Sequence, residues 1–156
     1  MTAYLLSQRK GGAPEQPSLS RSKMELPNNS NVPSLGDLMG ATQLRHLKLS
    51  YAGTLKNWEL AKFEVEEIRK SFDATAKLFP TIRDVPLAKL VAELSEPTLK
   101  EIDEAIIAKD SAAFSKSFEK LTQACNSCHQ AAHVGFIVMR VPTASPFSNQ
   151  SFAPMK

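Results

Sequence analysis

Residues 110–133, DSAAFSKSFEKLTQACNSCHQAAH, hold both cysteines of the chain and two of its three histidines, and their spacing decides the fold. Asp110 is a residue type that accepts the first free N–H groups of a helix. Behind it Ala113, Phe114, Phe118, Leu121, Cys125 and Cys128 return along one helical face. A helix is therefore expected from Asp110 until the period stops at Gly135.

Working back toward the N-terminus, the same period recurs. Ser34 caps a helix reaching about Ala52, with Gly53 as its stop and Leu35, Met39, Thr42, His46 and Leu49 along its seam. Asn57 caps a second, whose inner face carries Trp58, Ala61, Val65, Ile68, Phe72, Ala76 and Phe79 until Pro80 ends it. An irregular link from Pro80 to Pro97 includes two helical turns at Leu87 to Leu94. A third helix follows Ser95 and Pro97 and turns Leu99, Ile102 and Ile106 inward. Short connections set helix one against helix two, and helix three against helix four, in opposite directions. The expected fold is all-α, an antiparallel four-helix bundle over residues 34–134. A flexible leader rich in glycine and proline occupies residues 1–33, and an extended tail broken by Pro142, Pro146 and Pro154 packs on the bundle over residues 135–156.

At 156 residues and 42% hydrophobic, the chain is long enough to bury one core. The formal net charge of +3 comes from interleaved bases and acids, so no nucleic-acid patch stands out. No apolar run approaches the ~20 residues of a membrane span. In MTAYLLSQRKGG two leucines precede the basic residues and no apolar stretch follows, so no export signal is visible.

Cys125-x-x-Cys128-His129 is the motif that carries chemistry, and three chemistries use such a pair. A redox dithiol normally opens a helix, where the dipole favours thiolate; here the pair lies near a helix C-terminus, which disfavours it. Structural zinc would draw on Cys125, Cys128, His129 and His133. Its cysteine and histidine pairs are normally separated by a loop that wraps the ion, and Cys128 and His129 are adjacent. Covalent haem attachment needs two thiols and an imidazole on one side of the macrocycle. Positions i, i+3 and i+4 of a helix put all three on one face. Haem is the expected cofactor, one per chain, held through Cys125 and Cys128 with His129 as an iron ligand.

A motif at the end of the last helix of a bundle resembles the class II c-type cytochromes, the cytochromes c′ and their low-spin relatives. The segments QLRHLKL, NWELAKFE, ACNSCHQAAH and FIVMRVPTASPFSNQ are similar to a group of proteobacterial monohaem cytochromes c. The class II resemblance covers residues 34–134 and implies a haem lying between the first and last helices. The second axial ligand is then expected from the seam of helix one, where His46 is the first candidate, Met39 the second and an open position the third. His133 is expected to touch solvent or a propionate. Trp58 and the phenylalanines at 63, 72, 114 and 118 are expected in the core and haem pocket. Arg45, Lys48 and Arg140 are either propionate partners or solvated charges.

No acid pair, activated nucleophile or phosphate loop points to catalysis. The expected function is a soluble, six-coordinate monohaem electron carrier, not an enzyme; the alternative is a five-coordinate gas-binding or sensing protein of cytochrome c′ type. The resemblance implies a periplasmic location and redox proteins as partners. It leaves room for a homodimer, and neither nucleic acid nor a membrane span is expected.

Overall fold

The computed structural model describes residues 32–155, so the leader expected over residues 1–33 lies, but for its last two positions, outside the described residues. Among the described residues there are five helices and no strand. They are α1 (Leu35–Thr54), α2 (Trp58–Leu78), α3 (Leu87–Leu94), α4 (Glu96–Ala108) and α5 (Ser111–Ala131). The all-α class is as expected. No helix among these residues is long and apolar enough to cross a membrane.

Helix starts follow the capping residues. Ser34 Oγ accepts the Asp37 N–H at 3.1 Å while the Asp37 carboxylate accepts the Ser34 N–H at 2.9 Å, so each satisfies a donor the helix leaves free. Asn57 Oδ1 accepts from Leu60 at 3.2 Å, and Asp110 Oδ1 from Ala112 and Ala113 at 2.9 and 3.0 Å.

Helix ends do not follow glycine. Gly53 was expected to stop α1, yet it lies inside the helix and a Cβ there would overlap the Phe114 ring. Its role is close approach. The stop comes at Lys56, which takes a left-handed φ of 60°, as Asn57 N–H reaches back to Ala52 O at 2.8 Å. Lys109 ends α4 the same way at φ 54°. Likewise α5 stops before Gly135: His133 turns left-handed at φ 58°, and Val134 N–H closes the end on His129 O at 2.9 Å.

Inside, Leu49, Ala61, Val65, Ile68, Ile102 and Phe118 form one continuous apolar core drawn from α1, α2, α4 and α5. Burying a side chain of this size contributes about 1.5–3 kcal/mol. Ion pairs tie neighbouring helices: Arg45 to buried Glu64 at 3.2 Å, Arg69 to Asp103 at 2.8 Å, and Lys120 to Glu101 at 2.6 Å. Phe63, expected inside, is 47% exposed, with the Arg45 guanidinium 5.6 Å from its ring centre. Between α1 and α5, Gly53 meets Phe114 while His46 meets Phe118 and Thr122.

After α5 the chain has no regular structure, but it is anchored. Phe152 is buried with its ring 5.4 Å from Tyr51 and 6.0 Å from Phe147, and Asn57 Nδ2 donates to Ala153 O at 3.3 Å.

Candidate functional site

The last turns of α5 carry Cys125, Cys128 and His129, with no disulfide between the thiols. His129 Nδ1 lies 2.7 Å from the carbonyl oxygen of Ile137. A carbonyl only accepts, so Nδ1 must carry the proton, and Nε2 keeps a free lone pair. One turn earlier, Asn126 Oδ1 accepts the Met139 N–H at 2.7 Å and its Nδ2 donates to Met139 O at 3.0 Å.

This folding-back closes one side of a cavity of about 340 Å³. Leu35, Met39 and Thr42 of α1 line it, with Leu87 of α3, Cys128 and His129 of α5, and Ala132, Val134, Ile137 and Met139 beyond. The lining is mostly apolar, as small-molecule and cofactor sites are. The space exists because α1 and α5 part here: no residue of α1 before Thr42 is buried, and none of α5 after Ala124.

His46 is elsewhere. It is 3% exposed, with Nε2 2.9 Å from Thr122 Oγ1 and its ring 4.4 Å from Phe118. Thr122 spends its only proton on Phe118 O at 2.9 Å, so it accepts from His46, whose Nε2 therefore bears the hydrogen. Burial pushes the pKa of His46 down to about 4. The pairing of His46 with Thr122 sets the register between the helices. Seven residues back along α1 is Met39, and seven forward along α5 is His129, each about two turns away. The structure thus brings Met39, not His46, to the wall shared with His129, and both line the cavity.

Both thiols are held neutral. Burial, and secondly the neighbouring Cys128, pushes Cys125 up to about 12, and burial also raises Cys128. Thiols raised in this way lack the thiolate character of a redox dithiol, and among the described residues no three His, Cys, Asp or Glu side chains gather to hold a metal ion. His133 is exposed at the helix end and does not line the cavity. Nor do the cations proposed as propionate partners: Arg45 pairs with Glu64 and Glu67, and Lys48 lies 5.4 Å from the Phe147 ring centre.

No family model, curated protein or solved structure matches the chain. The residues themselves must carry the assignment. A thiol pair one turn apart, an imidazole with a free Nε2 and an adjoining apolar cavity fit the haem group that the motif implies. Sequence reading missed Leu87, Asn126, Ile137 and Met139. For Ile137 no signal existed, because it contributes a backbone carbonyl that any residue would supply.

Proposed function

We propose that the chain is a monohaem c-type cytochrome of the class II kind. In this reading it is an electron carrier rather than an enzyme, with α1, α2, α4 and α5 forming an antiparallel four-helix bundle. One observation carries the reading: on the face of α5 that bears the two thiols, His129 has Nδ1 engaged by Ile137 O and Nε2 free, beside an apolar cavity. Cys125 and Cys128 would hold the group covalently through their sulfur atoms. When bound, haem supplies one-electron chemistry at its iron. His129 gives the Nε2 lone pair, and the hydrogen bond from Nδ1–H makes it the stronger donor.

Met39 rather than His46 would be the favoured second ligand, because Met39 lines the cavity while His46 Nε2 is already protonated and two turns away. The gas-binding alternative draws on the same wall, where Gly36 and Gly40 leave room. Periplasmic placement and redox proteins as partners go with covalent haem attachment.

The test is expression of the full chain with a cytochrome c assembly system. Haem should stay with the polypeptide through denaturation and acid-acetone extraction, and Cys125→Ala with Cys128→Ala should release it. Stoichiometric zinc without haem would overturn the reading. In the loaded protein, Met39→Leu should open the iron to carbon monoxide, while His46→Gln should leave the spectrum unchanged. The reverse pattern would return the role to His46, and rapid carbon monoxide binding by the unaltered protein would favour the gas binder.

A further inference from the structure

The segment from Val134 to Arg140 is placed by hydrogen bonds as well as by the half-buried side chains of Val134 and Met139 at the cavity. Phe136 is 82% exposed and Val138 66% exposed, so neither side chain secures it. Near the helix end Val134 N–H closes on His129 O, and Ile137 N–H on Val134 O at 2.9 Å. Beyond those, its anchors are His129 and Asn126, which sit one turn apart on α5. They grip Ile137 and Met139, two residues apart on the returning chain. The spacings match: neighbouring side chains one helical turn apart are about 5–6 Å from each other, and two residues of extended chain advance about 6.6 Å. Asn126 alone makes two bonds, donating and accepting at the same peptide residue, as a paired strand would.

We propose that Asn126 is a positioning residue for His129: by clamping Met139 it holds the Ile137 carbonyl against Nδ1 and so fixes Nε2 as the nitrogen free to bind. The inference rests on the reading of His129 as an iron ligand, but the clamp itself is a property of the chain without haem. A neutral imidazole released from the carbonyl exchanges its proton between both nitrogens, and the form protonated on Nε2 has no lone pair there to give. A ligand whose outer hydrogen bond is lost is also a weaker donor to the metal.

Long-range proton–nitrogen spectra of the imidazoles in the haem-free full chain, recorded above the pH where histidine titrates, report the tautomers directly. Unaltered protein should show His129 protonated on Nδ1 and His46 on Nε2. In Asn126→Ala, His129 should lose its single-tautomer signature while His46 keeps its own, which shows that the core is intact. Retention of the Nδ1 form in that variant would overturn the proposal. If the variant fails to fold, exchange in the unaltered chain decides. The Met139 amide and the His129 Nδ1–H should lose protection together on warming; an imidazole proton that persists after the amide exchanges freely sinks the clamp. In haem-loaded protein the same substitution should raise the reduction potential. A chain that takes up no haem but shows the tautomer shift would refute the cytochrome reading and leave the clamp standing.

Discussion

His46 and His129 are the same ring in opposite tautomers, one donating from Nε2 into the core and the other from Nδ1 to a backbone carbonyl. The first is structural, and its environment makes stability depend on pH. Folding lowers its pKa from 6.5 to about 4, so the unfolded chain takes up the proton first. The contribution is complete above about pH 6.5 and is lost as pH falls toward 4, by about 3 kcal/mol in all. Urea midpoints should fall across that window, and His46→Leu should flatten the decline; an unchanged slope would mean that other groups govern it. The thiols and His129 were legible because i, i+3 and i+4 define one face without knowledge of anything else. The opposing residue was not, because choosing between His46 and Met39 needs the register of two helices. The last helix was expected to run to Gly135 but ends at Ala131, so His129 lies two residues from its end and shares its cavity with Met39 rather than His46.

At the scale of elements, the helix starts at Ser34, Asn57 and Asp110 were readable because side chains make those caps. The ends were not. Lys56, Lys109 and His133 adopt left-handed φ values that glycine adopts without strain, while Gly53 serves packing instead. The two tight turns share one plan, a left-handed lysine followed at once by the N-cap of the next helix. An L side chain at such a site costs on the order of 1 kcal/mol. Lys56→Gly and Lys109→Gly should therefore each raise the urea midpoint without changing its slope. Gly53→Ala should act oppositely, lowering stability by about 1–3 kcal/mol as Phe114 is forced aside. A neutral result would mean that α1 and α5 can separate at that crossing.

Over the whole molecule, the chain beyond α5 is fixed at two places, by Asn126 and His129 near one end and by Phe152 against Tyr51 farther along. The two should respond separately. Phe152→Ala should cost about 3 kcal/mol in unfolding while leaving helical circular dichroism and the His129 tautomer as they were. A change in that tautomer would show that the far anchor also holds the site.

The hydrogen-bonded layer from His46 through Thr122 to the Phe118 carbonyl is also a floor. Toward Gly53 and Phe114 the two helices meet in close contact; toward Met39 and His129 the molecule opens. Lesions on opposite sides of that floor, such as Gly53→Ala and Met39→Ala, should add to within about 0.5 kcal/mol, as distant sites do. An inheritance of this kind lets the upper storey drift. Its lining can be exchanged while the lower storey goes on specifying the same fold.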